Sequence, residues 1–266
     1  MLVFIIPLRS VRSAKSWETV SKLLERTLRS ICNQTSSDFR VVVVCHERPV
    51  LQGHYPQVEY IEVDFQAPTQ ASSINERRID KNRKLWIGIH HAAKFKGAYL
   101  MPMDSDDCIS KNLVAFVTQH SETNGWYFSQ GYQYQEGSAL IRYRKKYFEQ
   151  YCGSCNIIQA EILLDHIKEI QFADITPEFL LHTQLPYVLE KSLNALPFPG
   201  AVYITDNSEN TLNQIGIISH QFAGKNPLKL VQFYALRLIK PLISQRLAPT
   251  IRDEFGLYTI EKSKSN

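Results

Sequence analysis

Three carboxylates, Asp104, Asp106 and Asp107, follow directly on an apolar run in the stretch AYLMPMDSDDCIS, residues 98–110. Like charges this close repel one another, and a desolvated carboxylate needs a positive or hydrogen-bonding partner. A divalent cation meets both needs. Magnesium or manganese asks for only one or two carboxylates, the remaining positions going to water and substrate phosphate. A calcium loop of the EF-hand kind is excluded, because its sixth and twelfth positions, counted from Asp104, hold Ile109 and Ala115 in place of Gly and Glu. The competing reading is structural: aspartates that cap the following turn and face solvent.

A second constellation, CGSC at Cys152 to Cys155, carries less. One C-x-x-C without a second pair is a poor zinc site, and the strand–helix setting of a thioredoxin-like motif is missing. Neither metal nor redox function is expected of it.

The elements that must position the acidic cluster can be read from hydrophobic periodicity. LVFII, VVVVC (41–45), VEYIEV (58–63) and AYLMPM read as strands, the first, second and fourth apolar enough to be covered on both faces. Between the first two, Val20, Leu23, Leu24, Leu28 and Ile31 recur at helical spacing. A second helix is predicted across KNRKLWIGIHHAAKF (81–95), with Leu85, Trp86, Ile89, Ala93 and Phe95 inward and closure near Gly97. Strand, helix, strand, strand, helix, strand is the pattern of an open α/β sheet, whose ligands bind beyond the carboxyl ends of the strands. That edge holds Pro7, Leu8 and Arg9, then His46 and Glu47, then Asp104 to Asp107. Beyond Ser110, read as an N-cap, a third helix carries Leu113, Phe116, Val117 and His120 and ends near Gly125. GWYFSQGYQYQEGSALIRYR alternates and is rich in turns, the mark of a hairpin or short sheet, and a further helix is expected over PEFLLHTQLPYVLEKSLN (177–194), kinked by Pro186.

Composition bounds the rest. The chain has 266 residues, is 44% hydrophobic and carries a net charge of +4, ordinary values for a globular protein with a core. Five scattered cysteines and the interruption of MLVFII by Pro7 point to reduced thiols, no signal segment and a cytoplasmic setting. No apolar run approaches the ~18–20 residues that span a bilayer. From Gly224 onward there are eight Lys or Arg against three Asp or Glu, so the whole positive surplus lies in the tail. There Leu228, Val231, Ala235, Leu238 and Leu242 share one helical face, with Lys229, Arg237 and Lys240 toward another. Such a helix either lies on an anionic membrane surface or packs on the body with its charges in water, and Pro241 limits it in both cases.

LVFIIPLRS, RSICNQTSSDFRVVVVCHE and DKNRKLWIGIHHAAKFKGAYLMPMDSDDCIS together resemble the nucleotide-sugar half of GT-A glycosyltransferases, particularly family 2. In that family an opening strand ends in proline, and a basic helix precedes a strand ending in Asp-x-Asp-Asp. The likeness covers residues 1 to about 115. It implies an α/β, Rossmann-like mixed sheet flanked by helices, with residues 1–107 as the nucleotide-sugar half and 108–223 as the acceptor half of the same domain, while the tail's own charge and periodicity make 224–266 a basic C-terminal helical arm. It implies that Pro7, Leu8, Arg9 and Glu47 line the base and ribose pocket. Asp80, Lys81 and Lys84 then border the nucleotide from the start of the second helix, with Arg83 or Lys84 on its phosphates. Asp104 and Ser105 touch the donor, and Asp104 and Asp106 bind Mn2+ or Mg2+. GSCNII matches the segment that closes over the donor sugar.

The second half departs from the family pattern. Where relatives carry an Asp or Glu-Asp base, this chain offers Glu178 and His182, of which histidine is a sound general base at neutral pH. His220 stands where some GT-A enzymes place a third metal ligand. TDNSEN (205–210), with Asp206 and Glu209, either meets acceptor hydroxyls or is a plain turn. The expected protein is a metal-dependent glycosyltransferase moving a sugar from a nucleotide-diphosphate donor to an acceptor hydroxyl, inverting by family likeness, in surface polysaccharide or glycan assembly. Its partners are that donor and a glycan or lipid-linked acceptor, with peripheral contact at the inner face of the plasma membrane through the basic arm and no nucleic acid. Two alternatives stay open. One is a sugar nucleotidyltransferase, although PLRSVRSAK lacks the glycines of a phosphate loop; the other is a non-catalytic nucleotide- or glycan-binding module.

Overall fold

Every position of β1 (Leu2–Pro7) is buried, because the strand lies at the centre of a sheet covered on both faces. A computed structural model describes residues 1–189, 191–210 and 243–260. β1 pairs in parallel with β2 (Phe39–Cys45) on one side and β4 (Tyr99–Pro102) on the other, and β2 pairs with β3 (Val58–Glu62). Beyond β4 lie β9 (Asn156–Gln159), antiparallel to its neighbours, then β6 (Gly125–Tyr127) and β10 (Asn194–Ala195). The order of this seven-stranded sheet is therefore β10-β6-β9-β4-β1-β2-β3. Strand connections run outward from β1 in both directions, so the carboxyl edge beside β1 is the switch point where a crevice opens.

Alternate side chains of β1 face two cores. Leu2, Phe4 and Ile6 pack against Val20, Leu24, Leu28 and Ile31 of α1 (Trp17–Cys32) and Leu113, Val114 and Val117 of α3 (Leu113–Gln119). Val3 and Ile5 pack against Leu85, Ile89 and Ala92 of α2 (Ile74–Ala92) and Leu163 and Ile167 of α4 (Ala160–Ile167). Gly88 permits the α2 approach, since a Cβ there would overlap Ile5.

A second, five-stranded sheet has the order β12-β8-β7-β11-β5, formed by β12 (Gln245–Arg246), β8 (Leu140–Arg144), β7 (Gly131–Gln135), β11 (Ala201–Thr205) and β5 (Cys108–Ile109). One face of it, with Tyr134, Ile141, Val202 and Ile204, closes over Phe255 and Leu257 beside α6 (Pro249–Phe255). The α/β fold class and mixed sheets match expectation, as do β1 to β4, α1 and the β7–β8 hairpin.

Four expectations are corrected. α2 starts at Ile74, seven residues ahead of the predicted Lys81, because Ser73 and Glu76 form a capping box: Glu76 N donates to Ser73 Oγ at 3.3 Å and Ser73 N to Glu76 Oε2 at 2.6 Å. Asp80, Lys81 and Lys84 are thus inside the helix rather than at its start, and Ala93 is its half-buried cap. Ser110 is not the cap of α3; Asn112 is, and the helix ends at Gln119, with Gly125 opening β6. The helix predicted over 177–194 reduces to turns and the single-turn α5 (Leu185–Val188) with Pro186 in its first turn, the position a residue without an N–H tolerates. Finally, residues 243–260 do not stand apart as an arm. β12 pairs with β8, and Arg26 of α1 donates 3.0 Å to the Tyr258 carbonyl and 2.7 Å to Glu136 Oε2, whose Oε1 accepts from Ile260 N at 3.1 Å. Residues 211–242 and 261–266 lie outside the described residues; the first of these stretches holds His220 and the apolar face, Leu228 to Leu242, of the proposed lipid-facing helix. No described helix is long and apolar enough to cross a membrane.

Candidate active site

At the carboxyl edge of β1 and β4 lies a cleft of about 230 Å3. Its walls come from Pro7, Leu8 and Arg9 past β1, Arg77, Arg78, Asp80 and Lys81 on α2, Asp104, Ser105 and Asp106 past β4, and Tyr203, Glu209 and Asn210 on and past β11. Eight of the sequence-derived residues are thereby brought together: Pro7, Leu8, Arg9, Asp80, Lys81, Asp104, Ser105 and Asp106.

The three aspartates divide their work. Asp107 is fully buried and turned away from the cleft: its Oδ2 accepts from Ser154 Oγ at 2.8 Å and Cys152 Sγ at 3.4 Å, and its Oδ1 from Ile204 N at 3.1 Å. Burial, and after it the charges of Asp106 and Asp104, push its carboxyl well above the usual range. Asp106 accepts from Asn207 Nδ2 at 2.7 Å and Asn210 Nδ2 at 3.2 Å. Burial and the neighbouring Asp104 raise its pKa, so the local positive charge does not fully compensate it. Asp104, 29% exposed, is paired with Lys81, 41% exposed. Burial pushes the Asp104 carboxyl up, but the Lys81 ammonium outweighs this and holds it below its ordinary value.

The CGSC loop is the base on which this corner rests. Ser154 Oγ accepts from Asp104 N at 2.9 Å while donating to Asp107, and Gly153 lies so close that a Cβ would come within 2.5 Å of Asp104 Oδ2. Both thiols are buried and their pKa values stand well above the ordinary, first through desolvation, so neither is a thiolate at neutral pH.

Opposite, Glu209 is 95% buried and closes the cleft onto β1's loop: it accepts from Arg9 Nη1 at 3.0 Å, Lys15 N at 3.1 Å and Ser16 N at 2.8 Å. The 205–210 loop is therefore more than a turn. It holds Asp206 (φ 62°) and Ser208 (φ 66°) in the left-handed region, strain tolerated where surroundings fix the backbone. Tyr203 and Arg78 carry no sequence expectation, whereas Asn207 and Asn210 belong to the polar TDNSEN loop, and the structure turns both onto Asp106.

Other expected residues fall elsewhere. Lys84 is fully buried beneath the cleft, its Nζ donating 2.8 Å to the Leu8 carbonyl and 2.8 Å to Asp80 Oδ2, so it props the end of β1 and cannot reach a donor phosphate. Desolvation lowers its pKa. Arg83 lies over the rings of Phe65 and Phe172 and does not line the cleft. Glu47 accepts from Val11 N at 3.1 Å and ties the loop after β2 to that after β1 without lining the cleft. Glu178 is exposed and lies off the site. His182 adjoins the Asp104–Lys81 pair, with its buried Nε2 lacking a hydrogen-bond partner among the described residues. Desolvation and then Lys81 press its pKa down to about 4, which leaves a neutral imidazole.

Among the described residues, no group of three or more His, Cys, Asp or Glu could hold a metal on its own. Asp104 and Asp106 nevertheless fit a hard cation that takes its remaining ligands from water and substrate: both are oxygen donors at the cleft wall, and Asp106 has a charge short of compensation.

Fold and site define a mixed α/β protein with a polar ligand cleft at the strands' carboxyl edge. No protein-family model matches the sequence, and no curated protein matches it. Among solved structures, it is similar to S. aureus TarS 1-349 in complex with UDP, with 13% identity, a TM-score of 0.46 and coverage of 82% of this chain and 63% of that one. A second S. aureus TarS structure gives 13%, 0.47, 82% and 38%. The Francisella tularensis 2-C-methyl-D-erythritol 4-phosphate cytidylyltransferase IspD gives 10%, 0.42, 83% and 99%. The chain thus spans less than two thirds of either TarS chain. Similarities at this level carry no argument about chemistry, which rests on the site's own residues.

Proposed function

We propose that the cleft binds a nucleoside diphosphate sugar and that the protein transfers the sugar to an acceptor hydroxyl with the help of Mn2+ or Mg2+. The observation that carries this reading is the gathering in one cleft wall of two carboxylates, Asp104 and Asp106, and two cationic side chains, Arg78 and Lys81, the second paired with Asp104. A site that collects both signs of charge suits a cation together with a diphosphate. When bound, the cation supplies Lewis acidity to the departing diphosphate oxygens. Arg78 and Lys81 add charge-assisted hydrogen bonds to the same group. Pro7, Leu8 and Arg9, fixed by Lys84 from below and Glu209 from the side, border the nucleoside. This reading uses neither expected base: His182 lies beside the acidic corner, but its Nε2 is buried off the cleft wall and its pKa of about 4 makes it a weak proton acceptor, and Glu178 is exposed and off the site. Inversion follows from the family resemblance.

The test compares wild type with Asp106→Ala. Calorimetry with UDP and GDP, with and without manganese, is followed by donor-sugar turnover. Metal-dependent binding and turnover are expected in wild type and lost in the variant at unchanged melting temperature. Full turnover by Asp106→Ala overturns the proposal.

A further inference from the structure

The second sheet carries the cleft wall into a basic row. β11 pairs with β7 so that Tyr203 lies beside Gln133, and β7 pairs with β8 so that Gln133 lies beside Arg142. Paired residues in a sheet share a face, so Tyr203, Gln133 and Arg142 form one line across three strands, with Arg144 two residues further along the same face. The opposite face, with Tyr134, Ile141 and Val202, is the one closed by Phe255. Tyr203 belongs to the cleft wall, whereas Arg142 stands two strand spacings, about 10 Å, from it.

Arg142 and Arg144 are half-buried and have no carboxylate partner among the described residues. Arg144 is held in place: Gln133 Oε1 accepts from its Nε at 3.3 Å and Nη2 at 2.9 Å, and its guanidinium sits 3.8 Å from the centre of the Tyr151 ring. Burial, followed by the charge of Arg142, depresses its pKa, consistent with two cations sharing a site without a counterion. Lys145 and Lys146 follow at once and are exposed. The same loop continues from Tyr151 into Cys152, which donates to Asp107, so the basic row and the acidic corner share one support.

Resting on the proposed transfer reaction, we infer that Arg142 and Arg144 bind an anionic group, phosphate or carboxylate, carried by the acceptor. A guanidinium held in place, with a second one on the same sheet face, suits planar or tetrahedral oxyanions, which guanidiniums grip bidentately. The acceptor is accordingly an acidic or phosphorylated glycan rather than a neutral one.

The full chain is titrated calorimetrically with glucose 6-phosphate, glucuronic acid and glucose in the presence of UDP and manganese. The anionic sugars are expected to bind about ten-fold or more tightly than glucose, the range of one or two charge-assisted hydrogen bonds. Arg142→Gln/Arg144→Gln should remove that preference with UDP affinity and melting temperature unchanged, and Arg142→Lys/Arg144→Lys should restore part of it. Equal binding of all three sugars, or a preference that survives the Gln substitutions, overturns the inference. A preference confined to UDP-glucuronic acid over UDP-glucose, with free sugars bound alike, also overturns it by moving the anion to the donor. Loss of UDP binding with the free-sugar preference intact sinks the donor reading and leaves the anion site standing.

Discussion

Ser154 donates to Asp107 at 2.8 Å and, through the same oxygen, accepts from the backbone N–H of Asp104 at 2.9 Å. One hydroxyl thus fixes both the buried aspartate and the chain that presents the cleft aspartates. Ser154→Ala leaves Asp107 short of a partner in a dry environment, where an unsatisfied group costs about 1–3 kcal/mol. Chemical denaturation should show a loss of that size, with weaker manganese-dependent UDP binding as Asp104 drifts.

Lys81 and Lys84 are three residues apart and should respond oppositely. Lys84→Met strands the buried Asp80 carboxylate, a break that costs about 3–5 kcal/mol in buried pairs. Lys81→Met removes a partly exposed pair worth about 0–1 kcal/mol, so its melting point should scarcely move while UDP affinity falls. Denaturation and calorimetry on both variants separate a strut from a ligand contact.

His46 supplies a pH dependence. Its Nε2 contacts the Phe65 carbonyl at 2.8 Å, and its Nδ1 lies 3.9 Å from Asp80 without a hydrogen bond. Desolvation, and then Lys84, lower its pKa below the ordinary 6.5. The unfolded chain therefore binds the proton more readily, and the stability from the neutral ring is present above 6.5 and lost as pH falls through the lower folded value. Wild type should lose more stability than His46→Gln on acidification from pH 7 to 5, read by urea midpoints.

Phe255 tests the attachment of residues 243–260. It is 2% exposed and fills the cluster with Tyr134, Ile141 and Val202. Phe255→Ala should cost about 3–5 kcal/mol. A free-standing tail would show no change in melting temperature.

Chelation is the remaining test. A ligand that binds only the native state at about 100 times its dissociation constant adds about 2.7 kcal/mol. UDP should raise the melting temperature with manganese present, and EDTA should remove most of that rise.

β1, β2, β4 and the acidic turn were legible in the sequence because each is short-range: apolar runs covered on both faces, then polar residues where the strand leaves the core. The start of α2 was equally legible in Ser73 and Glu76, a capping pair that the apolar periodicity further along outweighed. The run 177–194 has helical apolar spacing, but Pro186 can only open a helix and not lie inside one, and the chain turns extended at Leu189.

By itself the sequence determined that carboxylates end a buried strand at the edge where an α/β sheet opens. Only the tertiary structure decided that Asp104 and Asp106 face the cleft while Asp107 turns inward, that Lys81 reaches the opening while Lys84 props β1, and that Glu209 closes on Arg9. The physical reason is one of range. Strand and helix signals lie among near neighbours, whereas each of those choices except the Lys84–Asp80 contact is made by a partner 23 to 200 residues away, brought there by folding.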